Sequence, residues 1–139
     1  MTKQIHFIAG LPRSGSTLLC NILNQNPDFH ATSTSGILDV ILAIRNQWEN
    51  LVTFKASPNK AGKAAVLNGM LHNYVSVIDR PIVFDKSRGW PAHIALADVI
   101  LDQPAKIIVP VRKITDILSS FEGLYRRNAH DWQFPQEKN

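Results

Sequence analysis

The sequence predicts an α/β protein with a central parallel sheet flanked by helices. Three observations carry that expectation. Short apolar runs at Ile5–Ala9, Ile82–Phe84 and Lys106–Val111 have the length of buried strands. Each is followed by a segment that reads as helix, and such alternation favours a parallel sheet. The first strand and helix are joined by a loop bounded by glycines, Gly10-Leu11-Pro12-Arg13-Ser14-Gly15-Ser16-Thr17.

That loop is the centre of the chain. A strand, a Gly-bounded turn and a helix start together form a phosphate-binding device. Loop amides and the free N–H groups of the helix's first turn point at one spot, and the helix dipole favours negative charge there. Gly10 and Gly15 permit close backbone approach, and Ser14, Ser16 and Thr17 add hydroxyl donors. The loop departs from the ATPase pattern, which needs Lys just before its final Ser/Thr. Ser16 stands there, and the cation has moved into the loop as Arg13. The planar fork of Arg suits phosphate or sulfate oxygens. This composition argues against ordinary ATP hydrolysis and suits transfer of a group from a phosphate-anchored donor. The plain alternative is a Gly/Ser turn without a ligand.

Composition sets the bounds. At 139 residues the chain is about one domain long, and a content of 45% hydrophobic and 19% charged residues fits a soluble globular protein. A formal charge of +4 suits an anionic ligand, but without a dense Lys/Arg run it does not indicate nucleic acid. The single cysteine, Cys20, excludes an internal disulfide and fits a reducing compartment, so a cytoplasmic location is expected. Met1-Thr2-Lys3-Gln4 leads straight into the first strand, which does not read as a signal peptide. No apolar run is long enough to span a bilayer, and no internal repeat is present.

The first helix is expected from Ser16 to about Gln25, with Leu18, Leu19, Ile22 and Leu23 at helical spacing and Asn26-Pro27 as its stop. Cys20 has no evident His partner and reads as an ordinary helix residue. Phe29 to Gly36 is small and polar; it reads either as an active-site segment or as a connection with helix-capping hydroxyls. Ile37 to Phe54 predicts one long amphipathic helix. Ser57 and Pro58 predict the start of the next, as N-cap and first helical residue. Trp48 and Tyr74 fit core packing or an acceptor pocket. The strand at Ile82–Phe84 ends in Asp85-Lys86-Ser87-Arg88, and ligands sit beyond the carboxyl ends of such strands. Asp85, Lys86 and Arg88 are therefore expected to face the ligand; the alternative is a loop ion pair between Asp85 and Arg88. Trp90-Pro91 opens a helix to about Leu101. Pro110 inside the last strand predicts a bulge or an unpaired N–H side.

Gly10 to Thr17, followed by Leu18-Leu19 and Asn26-Pro27, resembles the 5′-phosphosulfate loop of the PAPS-dependent sulfotransferases, where PAPS is 3′-phosphoadenosine-5′-phosphosulfate. The form Pro12-Arg13-Ser14-Gly15-Ser16-Thr17 is most similar to the bacterial and tyrosylprotein-type branch. Asp85-Lys86-Ser87 resembles a segment of the same family in which the lysine contributes charge near the transferred sulfonate. Arg112-Lys113-Ile114-Thr115-Asp116-Ile117-Leu118-Ser119-Ser120 resembles the family's 3′-phosphate segment, with Arg112 matching its Arg and Ser120 its Ser.

The resemblance implies a single domain over residues 1–139 with a three-layer, P-loop-like fold of sulfotransferase type. PAPS would be the donor, PAP the product, and a hydroxyl or amine the acceptor. It assigns donor binding to Pro12, Arg13, Ser14, Gly15, Ser16, Thr17, Arg112 and Ser120, and catalysis to Arg13, Lys86 and a general base. Tyrosylprotein-type members place a Glu base just after the first helix, where this chain has Ser33 and Thr34. His30, Asp39, Asp85 and His93 remain as bases, with His30 placed first because its segment follows the loop helix. Arg126 and Arg127 are further cations for the 3′-phosphate or surface residues. No cluster has metal-ligand spacing.

Family members continue well beyond this length, and the chain closes in a polar stretch at Gln133 to Asn139. A fragment, a minimal member, or completion by a partner or a homodimer are the readings left open. Two rivals stand beside sulfonate transfer: a P-loop kinase-like enzyme using ATP, and a non-catalytic module that holds PAP.

Overall fold

A computed structural model describes residues 3–128. The polar stretch at 133–139 lies outside them. Four strands form one all-parallel sheet: β1 (Gln4–Ile8), β2 (Phe29–Ala31), β3 (Ile82–Lys86) and β4 (Ile107–Ile108), in the order β2-β3-β1-β4. Helices α1 (Ser16–Leu23), α2 (Ile37–Asn50), α3 (Val52–Ala56), α4 (Lys60–Ser76), α5 (Ile94–Leu101) and α6 (Ile114–Arg127) connect and follow them. The expected α/β class with a central parallel sheet is what forms.

Side chains alternate across the sheet with period two. On one face Ile8, Ala31 and Phe84 pack with Cys20 of α1. On the other, Ile5, Phe7 and Val83 meet Leu38 and Ile41 of α2, Leu67 and Leu71 of α4, and Ala97 and Ile100 of α5. Trp90 joins this larger core fully buried, its ring 4.0 Å from that of Phe7.

Four elements differ from expectation. β2 forms within the polar segment read as a loop. It is short and lies at the edge, where Asn24 substitutes for a neighbouring strand: its Nδ2 donates to the Ala31 carbonyl at 2.9 Å, and its Oδ1 accepts from the Ala31 N–H at 2.7 Å. The long helix breaks at Leu51, whose ψ of 130° is extended, and leaves α3 as a separate turn with Val52 exposed. α4 is capped by Asn59, which accepts from the Gly62 N–H at 2.7 Å, so Ser57 and Pro58 lie before the helix. Trp90–His93 is a 3₁₀ turn ahead of α5 rather than its first turn.

β4 is also shorter than expected. Ladder bonds run from the Phe7 N–H to the Lys106 carbonyl and from the Ala9 N–H to the Ile108 carbonyl, then stop. Pro110 lies beyond the strand, against Gly10, where a Cβ on that glycine would come within 3.4 Å of the Pro110 carbonyl oxygen. Pro cannot donate to a ladder, so pairing ends where the loop turns away.

Leu71 is fully buried between sheet and helices. Leu71→Ala should lower unfolding stability by about 2–5 kcal/mol, read as a fall in the urea midpoint with unchanged slope.

Candidate functional site

The Gly10–Thr17 loop takes the left-handed turns that its glycines allow. Gly10 has φ 144°, Gly15 φ 98°, and Arg13, the one non-glycine among them, φ 67°. A Cβ at Gly10 would fall 2.8 Å from the Ser14 hydroxyl, so glycine is required there on steric grounds as well. Gly15 forms the N-terminal boundary of α1 without any side-chain cap. The first N–H groups of that helix therefore keep their donor capacity toward the loop. Ser14 is buried and its Oγ meets no hydrogen-bond partner, an orphan donor inside the cradle.

Groups from three other elements converge on this loop. Lys86, at the end of β3, donates from Nζ to Thr17 Oγ1 at 2.9 Å. Its backbone N–H donates to Thr32 Oγ1 at 2.8 Å, which fixes the strand end. Arg112, just after β4, donates from Nη1 to the Arg13 carbonyl at 3.1 Å. Arg13 donates from Nε to Ser120 Oγ of α6 at 2.8 Å. A cleft of about 250 Å³ lies over the loop, lined by Arg13, Gly15, Ser16, Thr17, Leu18 and Arg112. A second cleft of about 460 Å³ lies beyond β3 and is lined by Thr34, Ser35, Leu38, Asp39, Lys86, Arg88 and His93 among others. Lys86 thus touches the loop and borders the second cleft.

The model of the sulfotransferase family matches residues 6–138. The chain belongs to the sulfotransferase family. A protein-tyrosine sulfotransferase A of Caenorhabditis elegans is 29% identical over 75 residues, which cover 54% of this chain and 19% of that protein. The chain therefore corresponds to a minor part of that relative's length.

Within this chain the residues expected from sequence are placed as follows. Arg13, Ser14, Gly15, Ser16 and Thr17 form the loop, and Pro12 is exposed at its outer turn, with no N–H to offer. Lys86, Arg112 and Ser120 come to it from β3, the end of β4 and α6. His30 sits mid-strand on β2 opposite Val83 and is outside the lining of both clefts. Arg88 is exposed on the second cleft and makes no ion pair with Asp85. Arg126 pairs with Glu122 one turn back, and Arg127 donates to the Gly123 carbonyl, so both cations are engaged on their own helix.

Asp85 does not face the ligand side. It is fully buried on the larger core face, where its Oδ2 accepts from the Trp90 indole N–H at 2.8 Å. Strand alternation explains this: Asp85 and Lys86 are neighbours and must point to opposite faces. Burial pushes the Asp85 carboxyl above its usual range, offset in part by the Ser35 hydroxyl and the Trp90 indole. Cys20 is a buried residue of the loop helix α1, its thiol pushed up by burial and drawn partly back by Lys86, which leaves it a poor nucleophile.

Sequence reasoning missed Thr32, while Asp39 and His93, both candidate bases from the sequence, come to the lining of the second cleft. Thr32 carried no spacing signal; its role depends on the unforeseen β2. Among the described residues no His, Cys, Asp or Glu group of three or more is arranged to hold a metal ion. No described helix is long and apolar enough to cross a membrane.

A carboxyl raised by burial favours folding while it is protonated. That contribution is complete below its ordinary value of 3.8 and is lost as pH rises through the higher folded value. Asp85→Asn should therefore match the wild type near pH 3 and exceed its stability at pH 8, measured by urea unfolding at both.

Proposed function

We propose that this chain carries the donor-binding half of a PAPS-dependent sulfotransferase that moves a sulfonate to a hydroxyl or amine. The convergence of Arg13, Lys86, Arg112 and Ser120 on one glycine-bounded loop is the observation that supports it. The cradle fits a doubly anionic nucleotide: Arg13 and Arg112 line the cleft over the loop beside the uncapped start of α1, the orphan Ser14 hydroxyl lies within the loop, and Lys86 reaches the loop at Thr17. Arg13 and the loop amides hold the 5′-phosphosulfate. Arg112 and Ser120 take the 3′-phosphate, exchanging their contacts with Arg13 for phosphate oxygens.

The position of Lys86 speaks against an ATP-using kinase. The Ser/Thr at the end of a P-loop holds magnesium in that class. Here the matching hydroxyl, Thr17 Oγ1, receives an ammonium at 2.9 Å. A divalent cation on that oxygen would face a charge already seated there.

In the reaction the acceptor heteroatom forms a bond to sulfur in line with the breaking bond to the phosphate oxygen. Lys86 and Arg13 neutralise charge that builds on the bridging and sulfonate oxygens, and the loop amides do the same without reorganising. The acceptor's proton passes to a base. Asp39 and His93 border the second cleft with Lys86, and we assign the step to that pair ahead of His30, which lies outside the cleft. PAP leaves with both phosphates still gripped.

Calorimetric titration with PAP, ADP and magnesium-ATP checks this reading. PAP should bind tightest. Arg13→Ala and Arg112→Ala should each weaken it about ten- to hundredfold, since a hydrogen bond to a charged group contributes roughly 1.5–3 kcal/mol. A preference for magnesium-ATP overturns the assignment, and PAP binding without transfer to any phenol or amine reduces it to a binding module. Lys86→Met should keep PAP affinity within about threefold and cut transfer by about a hundredfold or more, as loss of a preorganised donor does.

A further inference from the structure

The second cleft does not end at Lys86. Its wall on α2 is Leu38, Asp39 and Leu42, and across from these stands His93. Further along the same helix a third cleft of about 410 Å³ opens at Arg45 and Glu49, with Leu96 and Val99 of α5 as its other wall. Leu38, Leu42, Arg45 and Glu49 advance in steps of four, three and four residues, which keeps them on one face of α2. His93, Leu96 and Val99 advance by threes and follow one another in the same way along the 3₁₀ turn and α5. α4 packs against both α2 and α5 and floors the third cleft with Lys63, Ala64 and Leu67. The two clefts thus lie in succession along one face of α2; joined as one groove, they run about 16 Å from Leu38 to Glu49, at 1.5 Å of helix rise per residue.

The chemistry of the groove changes along that length. At the near end are Lys86, Arg88, Asp39 and His93. The middle is apolar, with Leu38, Leu42, Leu96 and Leu67. At the far end Phe54 lies among the cations Arg45, Lys60 and Lys63. Lys63 is almost buried; its ammonium pairs with Glu49 at 2.6 Å and sits 5.5 Å from the Phe54 ring centre. Arg45 and Lys60 make no ion pair within 4 Å among the described residues, and Arg45 lies within electrostatic reach of Glu49, which Lys63 already pairs. Arg45 donates only to the neutral Asn46 side chain. An apolar trough that ends in three cations with a single carboxylate, Glu49, among them is complementary to an apolar body that ends in an anion.

The geometry points to an elongated amphiphilic acceptor. Its hydroxyl lies at Lys86, its apolar body runs between α2 and α5, and its far end carries an anionic group held by Arg45 and Lys60. This assignment rests on the proposed sulfonate transfer for its reactive end. The far end rests on the groove alone.

The probe is 12-hydroxydodecanoate, titrated calorimetrically into the full chain with and without PAP. It should bind at least about tenfold tighter than dodecan-1-ol, which lacks the anion, and than 4-hydroxybutanoate, which is too short to reach it. Arg45→Ala and Lys60→Ala should each weaken the probe about five- to tenfold, as loss of one charge-assisted contact does, and leave PAP affinity unchanged. Val99 is more than half exposed, so Val99→Glu tests the wall without threatening the core and should also weaken the probe. With PAPS supplied, mass spectrometry should find the sulfate ester at the hydroxyl end. Equal binding of all three compounds, or indifference to both cation variants, overturns the groove assignment even where PAP binds as proposed. Probe binding that obeys the variants in a chain that ignores PAP retains the anion-ended groove, while the donor reading and the acceptor role built on it fall.

Discussion

The pairing of β1 with β3 on one side and β4 on the other is the constraint on which the site depends. Both pairings are parallel, so all three strands present their carboxyl ends at one edge. Ile8 is in register with Lys86 and with Ile108. The Gly10 turn therefore has an ammonium leaving β3 on one flank and a guanidinium following β4 on the other. These groups are far apart in sequence, and no local propensity could bring them together. Each strand pair costs conformational entropy to align, and the buried faces of Ile5, Phe7, Ile8 and Val83 offset that cost. The core is what specifies the register, because a slip of one residue would turn Phe7 out of the core.

Around the loop the cations arrive on separate elements and are each held by an oxygen. Lys86 has Thr17, Arg112 has the Arg13 carbonyl, and Arg13 has Ser120. None of these oxygens carries a full charge. The cations are thus positioned without being neutralised, and their field stays available to an anion in the cleft. Carboxylate partners would position them as well but would cancel that field. The fully buried carboxylate nearby, Asp85, is turned to the opposite face of the sheet and is bonded to an indole rather than to a cation.

Much of this was legible in the sequence because it is written locally. The glycine-bounded turn, the short apolar strands and the helix beginning at Ser16 each depend on neighbouring residues, and each lies within a residue or two of its expected start. The reach of Lys86 and Arg112 to the loop follows from strand ends in a parallel sheet, which the alternation of elements implied. What stayed hidden depends on contacts between distant segments. β2 has no apolar run of its own and is completed by Asn24 of the preceding connection. The break at Leu51 interrupts an amphipathic pattern that continues unbroken through Phe54, so periodicity could not reveal it. The pleat sends Asp85 inward, and its partner there, the Trp90 indole packed against Phe7, was not visible from the local pattern.

The last strand residues of β3 show how closely the two ends of the site are coupled. Lys86 and Asp85 are consecutive, so the pleat sends one side chain toward the phosphate loop and the other into the core beneath the groove. Asp85 holds the Trp90 indole, and Trp90 begins the 3₁₀ turn that carries His93 to the groove's wall. Gly89, between them, lies so near Leu38 of α2 that a Cβ there would come within 2.7 Å of its Cδ2. One strand end therefore sets the ammonium, the wall that faces α2 and the spacing between that wall and α2. A shift of β3 along β1 would move all three together. The glycine loop and the groove are kept in mutual alignment by a single pair of backbone neighbours, so that the proposed group transfer between them would need no separate device to aim it.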